Sequence, residues 1–192
     1  MDASKRERLL KAAIKIFARD GFFKAKVEEI AKLAGVATGT TYLYFKNKDD
    51  LLISIFEEEM TPIIEKTKNE LANQDSPQDK IITFIKRHCD VVEKNPDLAS
   101  LLEVELRQSN KFLHEYKGTK YKEYLDLLGD AFEEGQQKGL FQEGVHPSIF
   151  KQLVFGAVDQ ISTNWTLSKS KKFKLSDAAD QISQIILEGA KK

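Results

Sequence analysis

Cysteine occurs once, at Cys89, so no disulfide can close within the chain. A sequence this poor in cysteine belongs by default to a reducing compartment, the cytoplasm. Proline occurs four times, and three of the four (Pro77, Pro96 and Pro147) stand at polar breaks, which leaves long proline-free stretches open to helix. Apolar runs are short and broken by charge, far below the ~20 residues that a membrane span needs. The N-terminus, MDASKRERLL, has no apolar core of the kind that a signal peptide carries. Catalytic patterns are absent as well: no Gly-x-Ser-x-Gly, no phosphate-binding glycine loop and no cluster of metal ligands. His88 and Cys89 are adjacent, but no second Cys or spaced His joins them, so no metal site is expected. The expectation is a protein without enzymatic activity.

Net charge is also missing, with 30 Lys and Arg against 30 Asp and Glu. The distribution matters more than the total. Residues 1–48 hold 11 basic and 5 acidic residues, net +6, and residues 49–192 carry the balancing −6. A basic head on an acidic body turns the head toward phosphate and holds the body away from it. The expected domains are 1–48, a head that faces phosphate, and 49–192, a helical body. Helical periodicity throughout predicts an all-α fold of about nine helices.

What is present centres on residues 26–52, KVEEIAKLAGVATGTTYLYFKNKDDLL. Val27, Ile30, Ala31 and Ala34 recur at helical spacing, and Gly35 suits the left-handed position that ends a helix. Thr38-Gly39-Thr40-Thr41 opens a second short helix that continues through Tyr42, Leu43, Tyr44 and Phe45. Helix, glycine turn, helix is the outline of a helix-turn-helix DNA reader. Small residues let such a helix approach the groove floor, and hydroxyls can meet phosphate or base edges. Tyr42 and Tyr44 cannot share a face, so one should pack inward and one should reach a phosphate. Ser4 with Glu7 has capping-box spacing before a first helix. Lys5, Arg6, Lys26, Lys46 and Lys48 are candidate phosphate contacts. Asn47 is a candidate cap for a long fourth helix that Pro62 interrupts without ending.

These residues carry a resemblance. Gly21-Phe22, Ala34-Gly35-Val36, Gly39-Thr40, Tyr42-Leu43-Tyr44-Phe45, Lys48, Asp49-Asp50 and Leu51-Leu52 are similar to the head of the TetR family of bacterial transcription repressors. The resemblance implies a dimeric repressor of palindromic double-stranded operator DNA. The implied DNA contacts are Lys26, Val27, Thr38, Gly39, Thr40, Tyr42, Leu43, Tyr44, Lys46 and Lys48. The chain departs from the family at Ala25-Lys26, where Thr is frequent, and at Ala37, where Ser is frequent. The second departure moves any capping role to Thr38.

The body resembles one subgroup of that family. EVELRQSN at 103–110 and FGAVDQISTNW at 155–165 are similar to the FadR-type repressors of fatty-acid degradation. That resemblance implies a long-chain acyl-CoA effector and no other cofactor. Phe84, His88, Leu101, Leu102, Leu106, Tyr121, Leu125, Leu128 and Phe155 are the candidate pocket lining, with Arg107 and Asn110 near its mouth. Arg107 either meets the coenzyme A phosphates or pairs with Glu103 one turn back. A helix capped by Ser76 and opened by Pro77 is expected to run on through Ile81, Ile82, Phe84, Ile85, His88, Cys89, Val91 and Val92, apolar nearly all round and central. Others are expected over 97–108, from Pro147 and from Leu175, with Gly135 and Gly139 ending the one before Pro147. The last two helices offer a dimer seam, core within the chain, or both on different faces: Phe150, Leu153, Val154, Ala157, Val158, Ile161, Trp165, Ile182, Ile185 and Ile186. Two other readings stay open: a repressor of an efflux pump answering a cationic or aromatic drug, and a small-molecule binding protein or enzyme with an incidental helix-turn-helix.

Overall fold

A computed structural model describes residues 3–102 and 119–192. Nine helices form, with no strand beyond one isolated bridge between Phe141 and Lys191 among the described residues. They are α1 (Ala3–Asp20), α2 (Val27–Ala34), α3 (Thr38–Tyr44), α4 (Lys48–Ala72), α5 (Pro77–Lys94), α6 (Pro96–Ser100), α7 (Thr119–Gln137), α8 (Pro147–Leu167) and α9 (Leu175–Ala190). The chain divides into two compact units. One holds residues 3–59 with 95–102, and the other holds residues 60–94 with 119–192. The boundary falls inside α4, just before Pro62, whose nitrogen has no hydrogen to give the helix ladder.

In the first unit, Leu9, Leu10, Ala13, Ile16 and Phe17 bury one stripe of α1. Phe17 meets Phe22 at 5.5 Å between ring centroids, so Phe22 closes the core beneath the α1–α2 connection. Gly35 ends α2 at φ 67°, and Val36 N–H donates back to the Ala31 carbonyl at 3.0 Å. Asn47 caps α4 by accepting from Asp50 N–H at 2.8 Å, and the Asp50 carboxylate accepts from Lys46 N–H at 2.9 Å. Two expected caps are corrected. α1 already includes Ser4, which therefore lies inside the helix and not before it. Ala37, not Thr38, holds the cap position of α3, with no side-chain hydrogen bond there.

In the second unit α5 is central and packs on α7, α8 and α9. Ile81, Phe84, Ile85, His88, Cys89 and Val92 are buried along one stripe, whereas Ile82 and Val91 are only half-buried and Lys86 and Glu93 are exposed. The helix expected to be apolar nearly all round is thus corrected to one with a single buried face. Ser76 caps α5, accepting from Asp79 N–H at 3.0 Å, with Pro77 opening the helix. Phe132 is sandwiched between Phe141 at 5.2 Å and Phe150 at 3.9 Å. Gly135 does not end α7. It lies inside the helix, where a Cβ would stand 2.1 Å from the Phe141 ring. Gly139, at φ 71°, follows the end of α7. Of the sixth expected helix, α6 covers the start as far as Ser100, Leu101 and Leu102 continue with helical backbone, and 103–108 lie outside the described residues.

Candidate functional site

Two sites emerge, one in each unit. In the first, α2 and α3 present the helix-turn-helix. Thr41 is the inward residue of α3, and Phe45 closes its end under the Arg6 guanidinium, 5.3 Å from the ring centre. Arg6 also pairs with Glu58, so this cation is committed within the unit. Tyr42 and Leu43 point out, at 53% and 76% exposure, whereas Tyr44 is half-buried beside the Phe45 ring. Tyr42 is thus the tyrosine that reaches outward. Gly39 is exposed, with nothing within 4 Å of the place a Cβ would take, so nothing inside the unit requires glycine there. Thr38 and Thr40, its neighbours on α3, and Val27 on α2 are half-buried.

Lys5, Lys24, Lys26, Lys32 and Lys46 are exposed and make no ion pair among the described residues. They form the cationic surroundings that a phosphate backbone requires. Lys48 is a correction. Its ammonium donates to the Phe23 carbonyl at 3.0 Å and the Ala25 carbonyl at 3.3 Å, and sits 4.7 Å from the Phe22 ring centre. It ties the α1–α2 connection to α4, and this structure does not offer it to phosphate. Lys24 and Lys32 were missed by reading the motif alone; their signal is position on the basic head.

The second site is aromatic. Phe84 of α5 lies 4.6 Å from Tyr124 of α7, and Phe155 of α8 meets Tyr121 and His88 edge-on, each at 5.6 Å. His88 Nδ1 and the Tyr124 hydroxyl lie 3.3 Å apart. Leu125 and Leu128 are buried on the same helix as Tyr124. Four expected pocket residues therefore converge, Phe84, His88, Tyr121 and Phe155, with Tyr124 as the member that sequence reading missed. Its place one turn from Tyr121 and Leu128 was the available signal. Leu101 and Leu102 belong to the first unit, the former buried and the latter half-buried. Leu106, Arg107 and Asn110 lie outside the described residues. An aromatic wall with one imidazole and two phenols suits an apolar chain that carries a polar group.

Asp126 of α7 fastens this wall to α8. It accepts from Lys151 at 2.6 Å and from Lys122 at 2.7 Å. Burial pushes its carboxyl up, but the two ammonium hydrogen bonds outweigh that and hold it below the usual carboxylate range. An open groove of about 530 Å³ bounded by α4, α5 and α9 is of another kind. Lys66, Lys86, Arg87 and Lys94 face Glu70, Asp90, Glu93 and Asp180 along its lining, with Arg87 paired to Glu70 and Asp90, Lys86 to Asp180 and Lys94 to Asp90, so the lining carries no net charge. No group of three or more potential metal ligands gathers among the described residues, and no helix there is long and apolar enough to cross a membrane.

The expected dimer residues separate into two sets. Leu153 and Ile185 are exposed and Ala157, Ile161, Trp165 and Ile186 are half-buried, so these are available to a seam. Ile149, not foreseen, extends the exposed face of α8 by one turn. Phe150, Val154, Val158 and Ile182 are a correction: each is buried within the single chain, Phe150 by stacking on Phe132. They shape the support of the face and do not form it.

The family pattern of bacterial regulatory proteins of the tetR family matches residues 9–55, and that of the C-terminal region of YsiA-like proteins matches residues 56–189. This chain belongs to the TetR family. The fatty acid metabolism regulator protein of Bacillus subtilis (strain 168) is 34% identical over 181 residues, 94% of this chain and 93% of that protein. Among solved structures, the transcriptional regulator FadR from Bacillus subtilis in complex with stearoyl-CoA superposes on this TetR-family chain with a TM-score of 0.89. The identity is 33%, with 95% of this chain and 98% of that one covered. The fatty acid degradation regulator FadR from Bacillus halodurans gives a TM-score of 0.87 at 34% identity, covering 96% and 99%. The likeness runs through head and body alike.

Proposed function

We propose that this chain is a repressor of fatty-acid metabolism genes that holds a palindromic operator as a homodimer and is released by long-chain acyl-CoA. The observation that carries it is the near-full-length match, in sequence and backbone, to a FadR that holds stearoyl-CoA. The aromatic wall of Phe84, Tyr121, Tyr124 and Phe155 supplies the apolar surface that such a ligand requires. It acts as a binding protein and not as an enzyme, and it works in the cytoplasm. Ligand must favour a dimer whose heads no longer span one turn of DNA, because only differential affinity can shift that equilibrium.

The test is native mass spectrometry of the purified chain, followed by displacement of a fluorescent operator duplex with acyl-CoAs of increasing length. A bound acyl-CoA recovered intact is expected, with release improving ~4-fold for each added CH₂ until the pocket is filled, as ~0.8 kcal/mol per methylene implies. Equal potency of acetyl- and stearoyl-CoA would overturn the effector assignment. Release by a cationic aromatic drug in place of acyl-CoA would support the efflux reading.

Arg107 is tested within the same assay. If its guanidinium holds the coenzyme A phosphates, Arg107→Ala weakens stearoyl-CoA about 10-fold or more and leaves stearic acid unchanged. If it only pairs with Glu103, both ligands lose equally.

A further inference from the structure

We infer that Leu43 is a reader of thymine: it packs on the C5-methyl group of a thymine in each operator half-site. The inference rests on the repressor reading above and adds to it the base that the head selects.

The argument begins with what α3 lacks. Its seven residues, TGTTYLY, include no Arg, Lys, Asn or Gln. Those four side chains make the two-point hydrogen bonds that single out guanine or adenine in the major groove. α3 has only hydroxyls and apolar surface to offer. Thr41 is turned into the core, which removes one hydroxyl from any readout.

Its outward face is correspondingly uncharged. Leu43 is, at 76%, the most exposed large apolar residue described, and Gly39 lies one turn before it on the same face with open space beyond. Tyr42 stands beside them. The cations stand off α3, at Lys26 and Lys32 before and on α2 and at Lys46 after α3. Cations thus rim the apolar α3 along the chain, before it and after it. The rim matches two phosphate strands, and α3 matches the groove floor between them. On that floor the thymine methyl is the apolar feature that distinguishes one base pair from another. Gly39 lets the helix come close enough for a branched aliphatic side chain to touch it.

The experiment uses the full chain and duplexes that it recovers from a random-sequence pool. Each recovered thymidine is then replaced in turn by deoxyuridine, which removes the methyl and nothing else. One thymine per half-site is expected to matter, with affinity falling ~4-fold for one methyl and ~15-fold for both. Leu43→Ala should bind more weakly and be indifferent to that replacement, whereas Leu43→Met should remain sensitive. Because Leu43 is exposed, both variants keep the fold, checked by helical circular dichroism. Recovery of a sequence whose thymines can all be replaced without effect overturns the inference and leaves the repressor standing. Undiminished sensitivity in Leu43→Ala overturns the assignment to Leu43 and places the methyl on another group. Failure to recover any sequence overturns the repressor reading itself.

Discussion

A glycine can be required by its neighbour and not by its own backbone, and Gly135 is such a case. It sits in the last turn of α7, where glycine costs up to about 1 kcal/mol relative to alanine. The Phe141 ring occupies the space of its missing methyl, with the nearest carbon 2.1 Å from an ideal Cβ. That ring is fully buried and stacks on Phe132, so it cannot step aside without opening the core of the second unit. Gly135→Ala should therefore destabilise despite better helix propensity, by about 2 kcal/mol net. In thermal unfolding this is a fall of about 4 to 8 °C for a chain of this size. Gly139→Ala, outside α7 at φ 71° with open space around it, should cost about 1 kcal/mol through backbone strain alone. Sequence reading could not separate the two glycines, because both stand near the end of the same apolar stripe. The roles of Gly35, Asn47 and Ser76 were legible, since they depend on residues within three or four positions. Lys48 was misread for the opposite reason: its carbonyl partners lie more than twenty residues away.

At the scale of elements, the local signals for where helices begin were legible, and the choice among apolar faces was not. Pro77, Pro96 and Pro147 open α5, α6 and α8 as their positions implied. α8 carries apolar residues on two faces, and periodicity alone cannot say which is core. The stack of Phe150 on Phe132 decides it. The aromatic wall raises the related question of what keeps α7 against α8. Gly129 leaves room for the Lys151 stem, which would lie 3.3 Å from a Cβ there, and Lys151 reaches Asp126 across the two helices. Because the folded Asp126 carboxyl is held below its ordinary value, the pair stabilises the fold fully above the unfolded pKa. That stabilisation is lost as pH falls through the lowered folded value. Asp126→Asn should lower the unfolding midpoint by about 2 to 4 °C at neutral pH, equivalent to about 1 kcal/mol for a partly exposed pair. The gap between wild type and variant should close in acid. A gap that stays constant down to about pH 3 would show that the carboxylate charge is not what holds α7 to α8.

For the whole molecule, the reading depends on two heads acting together, and the exposed apolar residues of the body say where the copies would meet. Ile149 and Leu153 stand one turn apart on the outer face of α8, with Ala157 following at the next turn, and Ile185 is exposed on α9, which packs against α8. An aliphatic face of this kind suits a four-helix seam between two copies, which is the proposed interface. Buried Val154, Val158 and Ile182 give that face a rigid backing, so a charge placed on it should disturb association before it disturbs folding. Leu153→Glu with Ile185→Glu should yield a folded monomer by analytical ultracentrifugation, with the helical signal retained. Each head would then meet DNA alone and lose the linkage that makes the second contact intramolecular. Operator affinity should fall by about 100-fold or more, to the level of non-specific binding. The slope of log affinity against log salt should fall to about half, since half as many phosphates are neutralised in one event. On the proposed function acyl-CoA should still bind this monomer, because Phe84, Tyr124 and Phe155 meet one another within one chain. A variant that remains dimeric would remove α8 and α9 from the seam, and a monomer that holds the operator as tightly as the wild type would remove the need for a second head.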